Sequence, residues 1–138
     1  MTLEGGCLCG ALRFEVSGEA THRCFCHCAS CRRASGAPFV AWATFPRAGF
    51  RVVKGTLASV RSSPQVMRGF CGACGTSLSY AHDDRAAEID IALATLDVPE
   101  AIAPEYHIWM ADALPWDRPG DGLPQYRDSK KDLSLIHI

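Results

Sequence analysis

Eight cysteines carry most of the chemistry that the sequence of this 138-residue chain offers. They fall into three groups with the patterns C-x-C, C-x-C-x-C-x-x-C and C-x-x-C: Cys7, Cys9, Cys24, Cys26, Cys28, Cys31, Cys71 and Cys74. Thiols two or three residues apart rarely meet the geometry of a disulfide with each other, but they readily share a metal ion. The N-terminus lacks the features of a secretory signal, so we expect a cytoplasmic location, where disulfides seldom persist. The cysteine groups therefore predict metal sites.

The last pair, Cys71 and Cys74, has the spacing of a zinc knuckle. Gly75 follows it, and a glycine can adopt the positive φ that such a tight turn requires. The alternative is a redox dithiol, which normally lies between a strand and a long helix, whereas residues 75–80 look extended. A knuckle supplies two of the four ligands of a structural zinc, and Cys7 with Cys9 is the available second pair. We expect a closed Cys₄ site that joins the N-terminus to the middle of the chain.

The middle group predicts a second zinc site. Cys28 and Cys31 again have knuckle spacing, and Cys26 lies near enough in sequence to join them. Three ligands with an open position are typical of a catalytic zinc, because water or substrate can take the fourth place. The alternative is a second structural site with Cys24 as fourth ligand, although an extended chain would separate Cys24 from Cys28 by about 13 Å. His27, between two ligands, would point to the opposite face of an extended segment.

Hydrophobic patterning predicts a mainly β fold around these cysteines. Alternating or β-rich segments indicate strands at residues 11–16, 38–45, 50–53, 56–60, 65–70 and 88–96. The helical candidates are short, at residues 28–34 and 99–103. Glycine and proline mark turns throughout, and no repeat or linker divides the chain.

Length and charge narrow the class of protein. A chain of 138 residues with 48% hydrophobic and 21% charged residues suits one globular domain. We place a zinc-binding domain at residues 1–128 and a C-terminal tail at 129–138, because residues 133–138 fit no pattern. No apolar run approaches the roughly 20 residues of a membrane span, and a net charge of −1 offers no basic surface for nucleic acid. Neither a membrane nor nucleic acid is expected as a partner, and the oligomeric state stays open.

Three motifs resemble a known family. They are Gly6-Cys7-Leu8-Cys9-Gly10, then Cys26-His27-Cys28-Ala29-Ser30-Cys31-Arg32-Arg33 with Ser35-Gly36, and then Phe70-Cys71-Gly72-Ala73-Cys74-Gly75-Thr76. In this order they resemble the glutathione-dependent formaldehyde-activating enzyme family, which includes centromere protein V. Ile108-Trp109 and Leu114-Pro115-Trp116 fit the family's C-terminal part more weakly.

The resemblance implies a β-tent fold and two zinc ions per chain. The implied ligands are Cys7, Cys9, Cys71 and Cys74 for a structural zinc, and Cys26, Cys28 and Cys31 for a second zinc at the catalytic site. It also implies a carbon–sulfur lyase that acts on S-(hydroxymethyl)glutathione, the adduct of formaldehyde and glutathione.

Charge at the second site agrees with that chemistry. Three thiolates leave a zinc centre with a net charge near −1, which acidifies bound water weakly and suits a soft thiolate ligand. We therefore predict a zinc-dependent carbon–sulfur lyase whose substrate is a glutathione or similar thiol–aldehyde adduct. Arg32 and Arg33 are candidates to bind the carboxylates of the thiol. The alternative is a noncatalytic zinc-stabilised interaction module, and no histidine is assigned as a proton carrier, His82 and His107 included.

Overall fold

The computed structural model describes residues 2–129, which form a mainly β chain with one short α-helix. The mainly β class predicted from the sequence is confirmed. The helix α1 spans Ala29–Ser35. The strands are β1 (Thr2–Gly6), β2 (Arg13–Ser17), β3 (Thr21–Cys26), β4 (Val40–Pro46), β5 (Phe50–Lys54), β6 (Leu57–Ser63), β7 (Val66–Cys71), β8 (Ser77–His82), β9 (Glu88–Ala92) and β10 (Tyr106–Ile108). No helix within residues 2–129 is long and apolar enough to cross a membrane.

The strands form two sheets. A three-stranded sheet has the order β1-β2-β5, and a seven-stranded sheet has the order β10-β3-β4-β9-β8-β7-β6. Strand β10 runs parallel to β3, whereas β3 and β4 are antiparallel. Because β3 ends at Cys26 and β10 lies beside it, the C-terminal part of the chain returns to the middle cysteine group.

Two separate apolar clusters pack against the cysteines. One contacts the first and last cysteine groups, and the other contacts the middle group. The larger cluster joins residues of both sheets, among them Phe14, Phe45 and Ile91, and Cys71 is buried within it. The smaller cluster contains Cys24, Cys26 and Cys31 together with Trp42 and Tyr106. Burial of a large apolar side chain contributes about 1.5–3 kcal/mol, so both cysteine regions rest on well-packed elements.

Most predicted elements appear within two or three residues of their expected bounds, with a few differences. The strand expected at 88–96 is wrong beyond Ala92, because Leu93–Thr95 turn as a 3₁₀ helix that buries Leu93 and Leu96 in the core. A short apolar run in the sequence is compatible with either a buried strand or a buried helical turn, so the pattern alone does not distinguish them. The helix expected at 99–103 is only a 3₁₀ turn at Pro99–Ala101.

Strands β1, β3 and β10 were not predicted. The cysteine and histidine content of β3 hides its alternation, and β10 has only three residues. The predicted tail lies outside the described residues except for Ser129, so the boundary after residue 128 stays a prediction.

Candidate metal centres and the adjoining cavity

The first and last cysteine pairs converge on one point. The sulfurs of Cys7, Cys9, Cys71 and Cys74 all lie within 4.8 Å of one another. The Sγ–Sγ distance is 3.6 Å between Cys7 and Cys9 and 3.9 Å between Cys9 and Cys71. Four sulfurs at the usual Zn–S distance of a tetrahedral site are separated by about 3.8 Å. This donor set therefore fits a structural zinc.

Backbone N–H groups donate hydrogen bonds to two of these sulfurs. The N–H of Leu12 donates to Cys7 Sγ at 3.3 Å, and the N–H of Cys74 donates to Cys71 Sγ at 3.5 Å. Gly75 has a φ of +81°, the positive value predicted for the knuckle. Hydrogen bonds from the hydroxyl and backbone N–H of Thr76 lower the pKa of Cys74 to about 5. A deprotonated sulfur is the form that binds a metal.

The middle group forms a second, smaller cluster. The sulfurs of Cys26, Cys28 and Cys31 lie within 4.8 Å of one another, and no fourth Cys, His, Asp or Glu among residues 2–129 joins them. Cys26 ends β3, Cys28 caps the N-terminus of α1, and the N–H of Cys31 donates to Cys28 Sγ at 3.4 Å. Hydrogen bonds from Cys26 and Cys31 lower the pKa of Cys28 to about 2. These residues fit a metal with three thiolate ligands.

Cys24 lies outside this cluster. Its side chain is buried on β3, two residues before Cys26, and it lines the same cavity as the cluster. Burial, reinforced by the negative charge of Asp90, raises the pKa of Cys24 to about 12. Cys24 is therefore a neutral thiol.

A cavity of about 630 Å³ adjoins the three-cysteine cluster. Its volume lies in the range of small-molecule sites, about 300–1,000 Å³. Trp42, Tyr106 and Trp109 supply aromatic walls, and two arginines, Arg68 and Arg85, supply positive charge.

The two arginines of the cavity have different partners. Arg85 is neutralised, because its guanidinium donates to Asp90 at 3.0 Å and to Glu88 at 3.3 Å. Arg68 instead donates to Cys31 Sγ, with Nη2 and Sγ 3.8 Å apart. The predicted carboxylate-binding residues Arg32 and Arg33 lie on α1 and are not among the residues that line the cavity.

A chain of hydrogen bonds lies beside the cluster, and its two histidines are buried. Asp117 Oδ2 accepts from His27 Nδ1 at 2.6 Å, His27 Nε2 lies 2.8 Å from His107 Nδ1, and His107 Nε2 lies 2.8 Å from Asp121 Oδ2. Burial lowers the pKa of His27, and Asp117 opposes that shift. The chain ties the Cys26–Cys28 turn to residues 106–121.

The family model of the glutathione-dependent formaldehyde-activating enzymes matches residues 2–112. The chain belongs to this family. A protein of Schizosaccharomyces pombe described as an uncharacterized lyase is 32% identical over 79 residues, which are 57% of each chain. The chain thus spans little more than half the length of that relative. A crystal structure of a Rhodobacter sphaeroides protein has a TM-score of 0.59 and 23% identity and covers 90% of this chain and 99% of its own, which shows the fold.

For this member of the formaldehyde-activating family, sequence reasoning identified the two cysteine clusters but missed most of the cavity. Trp109 was noted only as a weak family match, and Arg68, Arg85 and His22 were not considered. One signal was available, since Val66 and Arg68 alternate on β7 and both face the cavity. An arginine at an inward position of a strand indicates a buried charge that needs a partner.

Proposed function

We propose that this protein is a zinc-dependent carbon–sulfur lyase that splits, or forms, a thiol–aldehyde adduct such as S-(hydroxymethyl)glutathione. The observation that carries the proposal is the cluster of Cys26, Cys28 and Cys31 in the wall of a cavity, without a fourth protein ligand among residues 2–129. Family membership and the name of the yeast relative support a glutathione-related or lyase activity.

In this proposal the four-cysteine cluster has a structural role and the three-cysteine cluster has a catalytic role. The four sulfurs of Cys7, Cys9, Cys71 and Cys74 would supply all four ligands of a structural zinc and leave no place for substrate. A zinc ion held by the three-cysteine cluster would supply a soft Lewis acid that prefers sulfur ligands. The remaining chemistry belongs to the residues of the cavity.

In the reaction, the carbon–sulfur bond of the adduct breaks and its electron pair passes to sulfur. The hydroxyl of the adduct loses its proton, and the carbon–oxygen double bond of the aldehyde forms. We propose His22 as the acceptor of that proton, because it lines the cavity, whereas His82 and His107 do not. The hydroxyl of Tyr106 lies 3.4 Å from His22 Nδ1. In the tautomer that carries its proton on Nδ1, His22 donates to that hydroxyl oxygen, and Nε2 is the basic atom.

Arg32 and Arg33 remain proposed contacts for the carboxylates of the thiol. They occupy the last turn of α1. Substitution of both by Gln should raise KM for glutathione adducts and leave KM for adducts of uncharged thiols unchanged. An equal effect on both substrate types would reject a carboxylate contact.

The decisive test compares two cysteines of the same cavity. Cys28→Ser should lose one zinc and at least about 100-fold in kcat/KM for S-(hydroxymethyl)glutathione, because it removes a ligand of the three-cysteine cluster. Cys24→Ser is the matched control and should keep two zinc ions and near-normal activity. Zinc content is measured by elemental analysis and the reaction by the release of formaldehyde. A wild-type protein that holds two zinc ions but does not change the rate would favour the noncatalytic module instead.

A further inference from the structure

The guanidinium of Arg68 is buried without a carboxylate partner. The residue is only 5% exposed, and none of the ion pairs within residues 2–129 includes it. Its Nε donates to Ser62 Oγ at 3.2 Å, and its Nη1 is buried with no hydrogen-bond partner among the described residues. The ring of Tyr80 lies 5.0 Å from the guanidinium carbon, at cation–π distance.

A buried charge is costly unless another charge compensates it. The anionic group that Arg68 contacts is the three-cysteine cluster, since its Nη2 lies 3.8 Å from Cys31 Sγ. Three thiolates and a divalent zinc carry a net charge of −1, and the guanidinium brings the sum to zero. With an anionic fourth ligand, the net charge of the site would therefore be −1, whereas it would be −2 without the guanidinium.

We propose that Arg68 is the positioning residue that makes the three-cysteine site accept an anionic sulfur ligand in preference to a neutral one. Its positive charge offsets the fourth thiolate, and its buried Nη1 has no hydrogen-bond partner among the described residues, so no carboxylate of the chain already uses that charge. The neighbouring Arg85 does not serve in this way, because Asp90 already neutralises it. This inference rests on the proposed function, since it takes a thiol as the group that the cluster binds.

Ligand binding to the cobalt(II)-substituted protein tests the assignment without a turnover assay. Sulfur-to-cobalt charge-transfer absorption reports the ligands, and the two probes are 2-mercaptoethanol, whose only charge is on sulfur, and imidazole, which binds neutral. Arg68→Met should weaken the binding of 2-mercaptoethanol by about 10- to 100-fold, the range for loss of a hydrogen bond to a charged group. Imidazole affinity should change by less than about threefold, since no anionic charge is involved.

Three further variants make the comparison specific. Arg68→Gln removes the charge but keeps a donor for Ser62, so it serves if Arg68→Met does not fold, and it should show the same selective loss. Arg68→Lys keeps the charge and should recover most of the thiolate affinity. Arg61→Met is the matched control, because Arg61 pairs with Asp83 away from the cavity lining.

The outcomes separate this inference from the proposed function. Equal affinity of wild type and both neutral variants for 2-mercaptoethanol would overturn the role of Arg68 alone. With glutathione as a third probe, a loss seen with glutathione but not with 2-mercaptoethanol would also overturn it, because Arg68 would then bind a carboxylate. If the wild-type protein binds no thiol at any concentration tested, both proposals are overturned.

Discussion

The hydrogen-bonded chain Asp117–His27–His107–Asp121 allows a quantitative prediction of stability. His107 is 2% exposed and makes two side-chain hydrogen bonds, each 2.8 Å long, to His27 and Asp121. Loss of a hydrogen bond to a charged group costs about 1.5–3 kcal/mol, and the 38% exposure of the Asp121 side chain places this bond at the lower end of that range. Loss of the other bond leaves Nε2 of the buried His27 without its partner, at a further cost of about 1–3 kcal/mol. We expect His107→Leu to lower the free energy of unfolding by about 3–4 kcal/mol.

A graded variant sharpens this expectation. His107→Asn retains a polar group at the position of Nδ1, which faces His27, but cannot reach Asp121 as Nε2 does. It should cost about half as much, or roughly 2 kcal/mol. His82→Leu is the control, since His82 lies near the surface and accepts only a local hydrogen bond from the N–H of Asp84.

The assay is urea unfolding followed by circular dichroism, with zinc held at one saturating concentration because bound metal adds to stability. The thermal midpoint of His107→Leu should fall by about 10 °C or more, given the usual shift of about 2–8 °C per kcal/mol. A loss below about 1 kcal/mol would refute the reasoning, because it would mean that the chain of charged bonds contributes no net stability.

Three other perturbations should give distinct results. Cys9→Ser should lose one zinc and cooperative folding, because a structural zinc supplies about 10–16 kcal/mol of binding energy; elemental analysis and thermal melts test this. Gly5→Ala should lower the melting temperature strongly, since a Cβ there would lie 2.5 Å from Phe14 Cζ. Burial tends to raise the pKa of Asp121, but hydrogen bonds from the backbone and from His107 outweigh burial and lower it. The stabilisation that the Asp121 carboxylate provides should therefore persist above about pH 3.8 and be lost as the pH falls further. Urea midpoints of wild type and Asp121→Asn should converge only at that acid extreme.

Local spacing was sufficient for the cysteine clusters. A C-x-x-C pair with a following glycine defines its own turn, and the φ of +81° at Gly75 is the conformation that the sequence demands. Strands such as β4 and β7 were predictable for a similar reason, because alternation and β-branched or aromatic residues depend only on near neighbours. The pairing of Cys7 and Cys9 with Cys71 and Cys74 followed from the count of ligands that zinc requires.

The sequence alone determined the fold class, the family resemblance and the two sets of sulfurs, because these follow from short motifs and from the number of ligands that zinc requires. The tertiary structure decided what surrounds the sulfurs. It brought Arg68 of β7 against Cys31 of α1 and placed His107 of β10 against His27, contacts between residues 37 and 80 positions apart. No periodicity encodes such distant pairs, since they depend on the order of strands in the seven-stranded sheet. The charge and the shape of the cavity are therefore properties of the fold, whereas the cysteine motifs that could hold a metal are recognisable in the sequence.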